Sequence, residues 1–269
     1  MKKLIIGIAL ISIVFSCKDS KEIKTAKATE VVVKAVSKDS VKQNEVVSDE
    51  DFKSDFDILL PRSYRSYGAE NPAASLTEKW IDLYEQNGEY YLGKADFKTE
   101  KGFDECSGDS LISIISKNRT IIFMDYPGLK FGKIKSLKIE KNKVWPKEKA
   151  TYLFNNVSYT LRAEGKVLSS SMVHTDDDKQ EVFKEVENYK LYLTTGNTKE
   201  QLLLTEESFN DTFVVLLFAG DIDGDGKLDF VFGANRHYEE ERVILFLSSK
   251  AKNGEAVKKV SEVAIGFDC

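Results

Sequence analysis

Four aspartates fall within nine residues of this chain, in the string Gly220-Asp221-Ile222-Asp223-Gly224-Asp225-Gly226-Lys227-Leu228-Asp229. Carboxylates packed this closely repel one another unless a cation lies among them, so the first chemistry to weigh is metal binding. The side-chain donors are all hard oxygens, and a cation of calcium's size takes about six to eight of these at about 2.3 to 2.6 Å. Asp221, Asp223 and Asp225 stand at loop positions one, three and five, where they can converge because Gly224 and Gly226 let the backbone curl tightly. Gly226 takes the sharp turn at position six. Lys227, at position seven, is expected to offer its backbone carbonyl and send its ammonium to solvent. Asp229, at position nine, is expected to add a carboxylate directly or through water. The bland alternative is an acidic turn that binds nothing, since Asp and Gly are ordinary turn residues.

The string resembles the Asp-x-Asp-Gly-Asp-Gly-x-x-Asp loops of FG-GAP and VCBS-type repeats, over about a dozen residues. It differs from an EF-hand: position twelve is Phe232, where a bidentate glutamate belongs, and the flanks Thr212 to Phe218 and Leu228 to Phe232 read as strands. The resemblance implies Ca2+ as the cofactor, with Asp221, Asp223, Asp225, Lys227 and Asp229 as the metal residues. It also implies a staple between two strands more than a catalytic metal. Those repeats usually come in several copies, and this chain has one. Glu239, Glu240 and Glu241 stand near in sequence as further candidate ligands.

Other strings carry weaker chemistry. Gly108-Asp109-Ser110-Leu111 spells the signature of GDSL esterases, whose serine needs a histidine base in an Asp-x-x-His setting. Here the residue three before His174 is Ser171, and three before His237 it is Ala234, so Ser110 is expected to open a strand after a polar turn. His174 leads into Asp176-Asp177-Asp178, which reads as an exposed acidic loop. Asn235-Arg236-His237-Tyr238 is a polar and aromatic cluster that reads as a solvated connector or, alternatively, as a loop presenting binding groups. With two histidines in the chain and no catalytic motif, the domain is expected to be a binding or structural module and not an enzyme. A secreted hydrolase with a dispersed active site is the alternative.

The N-terminus reads as an address. Met1-Lys2-Lys3 is followed by an apolar run from Leu4 to Phe15, shorter than the roughly 20 residues that a membrane-spanning helix needs. The run ends in Val14-Phe15-Ser16-Cys17, which resembles the lipobox of bacterial lipoproteins. That resemblance implies cleavage before Cys17, acylation of its thiol, and a chain anchored to the cell envelope by lipid, the outer membrane being favoured. Residues 1–16 are thus expected to be a signal peptide. Residues 17–50 carry the lipidated cysteine and a polar, aromatic-free stalk, whose ends as a flexible coil lie roughly 30 to 35 Å apart. In an oxidising compartment Cys106 and Cys269 remain as an expected disulfide, with two free thiols as the alternative.

These groups need a scaffold, and residues 51–269 supply one. The chain has 269 residues, 42% of them hydrophobic, enough for a real core, and a net charge of −5 that gives no overall field to hold nucleic acid. Short apolar or alternating runs separated by turn signals predict strands. A hairpin is expected from Trp80 to Leu92 around Asn87-Gly88, and another from Tyr152 to Leu161 around Asn155-Asn156. Further strands are expected over Leu111–Ile115, Thr120–Met124, Ile134–Ile139, Tyr189–Leu193 and Val243–Leu247, with helix considered for Asp176–Glu187. The expected fold is mainly β: one antiparallel domain, a sandwich, a barrel or an irregular propeller, with the calcium loop between two strands. A glycan or a protein is the expected ligand, besides the membrane that holds the lipid.

Overall fold

The computed structural model describes residues 52–66, 68, 70–174, 179–196 and 198–267. The signal segment, Cys17, the stalk, Asp176 to Asp178 and Cys269 lie outside the described residues. In chain order the strands are β1 (Ile58–Leu59), β2 (Ser63–Arg65), β3 (Ile81–Gln86), β4 (Glu89–Lys94), β5 (Phe97–Phe103), β6 (Ser110–Ser116), β7 (Arg119–Met124) and β8 (Gly132–Lys133). They continue as β9 (Lys149–Phe154), β10 (Val157–His174), β11 (Gln180–Thr195), β12 (Gln201–Ser208), β13 (Val215–Gly220), β14 (Asp229–Gly233), β15 (Glu240–Leu247) and β16 (Lys258–Gly266). Among the described residues there is no α-helix, only a 3₁₀ turn at Pro72–Ser75.

The strands form four open antiparallel sheets, ordered β1-β7-β3-β4-β8, β2-β6-β5, β12-β11-β10-β9 and β13-β14-β15-β16. The mainly antiparallel reading therefore holds. The Asn87-Gly88 turn carries positive φ at both residues, 56° and 79°, the conformation that lets a two-residue loop match the twist of β3 and β4. Asn155 and Asn156, at 47° and 64°, do the same for β9 and β10.

The sheet β13-β14-β15-β16 has a core on each face. Val243, Leu245 and Leu247 of β15 point into one core, shared with β3 and β7, while Ile244 and Phe246 point into the other, shared with β10 and β11. Phe230 and Phe232 of β14 join the second core and Val231 the first. This explains the unbroken apolar run Val243-Ile244-Leu245-Phe246-Leu247: a strand buried on both faces has no reason to alternate. On β13 a bulge between Leu216 and Phe218 switches the side-chain alternation, so Leu216 enters the second core and Phe218 the first. Leu217, the extra residue, is left 37% exposed.

Three sequence expectations change. Ile134–Ile139 is not a strand: it makes one isolated bridge, Ser136 to Gly220, and scattered backbone hydrogen bonds to Tyr90, Ala219 and Asp221, although Ile134 is buried and Lys135 and Lys138 point outward. The apolar alternation there reflects a segment lying along a sheet without joining its ladder. The helix considered for Asp176–Glu187 is, where described, the first half of β11, paired with β10 from Gln180 onward. The strand expected from Thr212 begins at Val215. Strands β5, β12 and β16 are not among the expected ones, and β5 shows why: six of its seven residues are exposed, so no apolar face marks it.

Candidate metal centre

The last pair of the β13–β14 ladder, Gly220 opposite Asp229, closes a loop of the intervening residues Asp221 to Leu228. Gly224 and Gly226 adopt φ of 78° and 84°, the left-handed conformation that residues with a Cβ rarely take. With the chain so curled, one carboxylate oxygen each from Asp221, Asp223 and Asp225 lies within 4.8 Å of the others. The expected convergence of positions one, three and five is therefore present.

The loop is shaped by hydrogen bonds to its own backbone. Gly226 N donates to Asp221 Oδ2 at 3.1 Å, Asp225 N to Asp223 Oδ1 at 3.3 Å, and Lys227 N to Asp225 Oδ1 at 2.8 Å. Asp221 Oδ1 is different: it is buried and has no hydrogen-bond partner. Burial, and beyond it the charges of Asp225 and Asp223, raise the Asp221 pKa above the ordinary carboxylate value, against the lowering by the Gly226 and Gly224 amides. Lys227 sends its ammonium outward, as expected, where it reaches Asp225 Oδ2 at 3.7 Å across a 62% exposed side chain.

Asp229 stands apart from the three. Fully buried, it accepts from Ile222 N at 2.7 Å and Asp223 N at 3.4 Å on Oδ2, and from Ser248 N at 2.7 Å and Ser248 Oγ at 2.9 Å on Oδ1. Both oxygens are thus engaged by the protein, and Asp229 fixes the loop to the end of β15. Burial, then the charge of Asp223, pushes its pKa up to about 8, although the Ser248 and Ile222 donors pull the other way.

Several contributors lie far away in sequence. Ser248 Oγ also lies 3.0 Å from Asp225 Oδ1, and Ser249 Oγ donates to Asp223 Oδ2 at 2.5 Å. Asn155, in the β9–β10 turn, donates to the Gly226 carbonyl at 2.7 Å, and Tyr159 accepts from Leu228 N at 3.3 Å. Asp221 N donates to the Lys135 carbonyl at 2.9 Å. A Cβ on Gly220 would stand 2.7 Å from that same carbonyl and 2.5 Å from the Phe218 ring, so only glycine fits there. No local spacing rule points to Ser248, Asn155 or Lys135. The one hint is a pair of serines ending the apolar run of β15.

The other candidates are dispersed. Glu240 is bound to Arg236 and Glu241 to Arg62, at the far end of β15, about 25 Å from the loop by strand rise. The Asn235–Tyr238 cluster follows the end of β14 remote from the loop, where Asn235 Oδ1 accepts from Arg242 N. Ser110 opens β6 opposite Phe103, and neither His174 nor His237 hydrogen-bonds to it among the described residues. The Gly-Asp-Ser-Leu string is the exit of a turn in which Asp104 Oδ1 accepts from Cys106 N at 2.9 Å and Arg65 holds Asp104 Oδ2 at 2.7 Å. Cys106 is disulfide-bonded.

No protein-family model, curated protein or solved structure matches the chain. What can be said of function comes from the residues themselves.

Proposed function

We propose that this chain is a lipid-anchored envelope protein whose β domain is a binding module stapled by Ca2+ at Asp221, Asp223 and Asp225. The observation that carries the reading is the convergence of three carboxylates, one of which, Asp221, has a buried oxygen with no hydrogen-bond partner. A buried carboxylate oxygen without a donor is costly, and a cation among the three removes that cost along with their mutual repulsion. An all-oxygen donor set selects a hard ion, and the flexible loop suits calcium's larger and less exacting shell better than magnesium's. The Lys227 carbonyl would complete the set from position seven. Asp229 would act behind it, holding Ile222, Asp223 and Ser248 so that the three carboxylates face one point.

A staple here ties the end of β13 to the start of β14, and through Ser248 and Ser249 to the end of β15. That is a structural task, and the resemblance to FG-GAP and VCBS-type loops agrees with it. A binding role is favoured over a hydrolase because Ser110, His174 and His237 belong to separate sheets and loops. The lipid anchor rests on the lipobox-like Val14-Phe15-Ser16-Cys17. Replacing Cys17 with Ser is expected to shift the protein from the membrane to the soluble fraction, and unchanged partitioning would refute the anchor.

The metal reading is tested by thermal unfolding of the chain from residue 17 onward, with Cys17→Ser, in calcium and in chelator. Calcium is expected to raise the midpoint of this protein and to leave a variant with Asp223→Ala and Asp225→Ala unmoved. A calcium response of equal size in both would remove the loop as its site.

A further inference from the structure

Although the chain as a whole carries −5, residues 130–149 hold eight lysines against two glutamates. This segment makes one wall of a groove of about 830 Å³ whose other walls are β3, β4 and β13. Lys133, Lys135 and Lys138 line it, with Arg119 across from them. Arg119 is bound to Glu85 and Lys133 to Glu89, so those charges are matched within the groove. Lys135 bonds the neutral amide of Asn155 and lies over the Phe154 ring, and neither it nor Lys138 has a carboxylate partner among the described residues. The groove therefore keeps two uncompensated cations. Its floor is Tyr90, edge-on to Phe218 at 4.9 Å, beside the bulge residue Leu217. A second pocket of about 430 Å³ shares Glu85, Tyr90, Arg119 and Leu217 and extends the groove toward Arg62.

The strand edges facing this groove are occupied. The outer edge of β4 is taken by β8 and by Ile134 N, which donates to the Tyr90 carbonyl at 3.0 Å. The outer edge of β13 is taken at Leu216 N by the Asn142 carbonyl at 2.8 Å, and at the Ala219 carbonyl by Leu137 N at 2.9 Å. A peptide thus finds no ladder to join, which is the usual source of affinity for an extended chain on a sheet. What is offered is a set of side chains: two ammonium groups without carboxylate partners among the described residues, a hydroxyl at Ser136, an amide at Asn142 and an aromatic ring. That set fits a chain of rings bearing hydroxyls and regularly spaced anions.

We propose that this groove binds an acidic polysaccharide, with Lys135 and Lys138 pairing its anionic groups and Tyr90 lying under its sugar rings. The proposal deepens the binding-module reading and rests on it, and it adds a coupling. Lys135 supplies the carbonyl that accepts from Asp221 N, and its ammonium meets Asn155, whose amide holds the Gly226 carbonyl. The groove wall is therefore anchored to the root of the cation loop. A cation that orders the loop orders Lys135, and by reciprocity an occupant of the groove strengthens the hold on the cation.

The test uses the chain from residue 17 onward, with Cys17→Ser, and dextran sulfate as probe against uncharged dextran of the same length. Wild type is expected to bind dextran sulfate and not dextran, more tightly at low salt, and more tightly in calcium than in chelator. Lys135→Glu with Lys138→Glu is expected to weaken binding at least about tenfold, the loss of two charge-assisted contacts. A control, Lys98→Glu with Lys117→Glu, makes the same change of net charge at ammonium groups that already have carboxylate partners, and is expected to alter affinity by less than about twofold. Equal losses in the two variants would reduce the effect to overall charge and overturn the groove. Tighter binding of poly-glutamate than of dextran sulfate would replace the glycan with an acidic protein. Retention on anionic vesicles that is lost in the groove variant alone would replace it with a lipid surface. The calcium-dependent midpoint separates the two readings: if it persists in a protein that binds no polyanion, the groove proposal fails and the staple stands. If dextran sulfate binds with no calcium response in either assay, the staple fails and the groove stands without it.

Discussion

One four-stranded sheet, β13-β14-β15-β16, carries two clusters of carboxylates, and they are neutralised in opposite ways. At one end Arg242 of β15, 1% exposed, donates to Glu206 of β12 at 2.5 Å and to Glu262 of β16 at 3.0 Å. At the other end Asp221, Asp223 and Asp225 converge, and the ion pair found there among the described residues is with an exposed lysine at 3.7 Å from Asp225. The first cluster contains its own cation, and its carboxylates come from separate strands and two sheets, so it joins the sheets and carries its counter-charge within the fold. The second has its carboxylates on one loop and leaves a buried oxygen unbonded. A carboxylate cluster that supplies its own counter-charge is architecture, whereas one that does not could hold an ion.

The contrast is broken most forcefully at Arg242. Arg242→Leu leaves Glu206 buried without its guanidinium, which is expected to cost about 3 to 5 kcal/mol in urea unfolding. The loss should be the same in calcium and in chelator. Arg242→Leu with Glu206→Leu should recover much of it, because an apolar pair of similar volume is often no worse than a buried ion pair. A loss that depends on calcium would mean that the two ends of the sheet are one cooperative site.

The cation loop should respond in the opposite manner. At calcium a hundred times the dissociation constant, wild type is expected to gain about 2.7 kcal/mol, and Asp221→Asn to gain almost none. In chelator the order reverses: the variant should be the more stable, because one of three like charges and one buried anionic oxygen have been removed. A variant less stable than wild type in both conditions would show that Asp221 serves only the backbone of the loop, through the Gly226 amide.

How far the sequence could be read follows from the same difference. The loop was legible because its logic is local: carboxylates at positions one, three and five, and glycines where φ must be positive. The hairpins at Asn87-Gly88 and Asn155-Asn156 were legible for the same reason. The Arg242 knot was not, because Glu206, Arg242 and Glu262 are ordinary charged residues until the ladders align them. Ile134–Ile139 misled because a segment lying along β13 alternates like a strand, while its hydrogen bonds go to Ala219, Asp221 and Tyr90 only at intervals. Asp229 reads as a ligand from spacing alone, yet Ser248, nineteen residues on, claims one of its oxygens. Long-range partners redirect side chains whose local pattern is unambiguous.

Asp82 offers the smallest and sharpest version of the comparison, a single buried carboxyl with no cation bound to it among the described residues, near the charge of Asp96. It lies on β3, fully buried, with Asn118 donating to Oδ2 at 2.9 Å and Oδ1 without a partner. Burial raises its pKa, and the neighbouring amide lowers it by less. The sign follows from proton counting. Below the ordinary carboxylate range the group is protonated whether the chain is folded or unfolded, and it has no effect. As pH rises through that range the unfolded chain releases the proton while the folded chain keeps it, so stability falls until the pH passes the raised folded value. Asp82→Asn removes this penalty while keeping an acceptor for Asn118. The variant should be more stable than wild type at neutral pH, with the difference closing as pH falls below the ordinary carboxylate range. A variant that is less stable at neutral pH would mean that the charge of Asp82 is wanted, and would move this carboxylate from the class of tolerated burials to that of candidate sites.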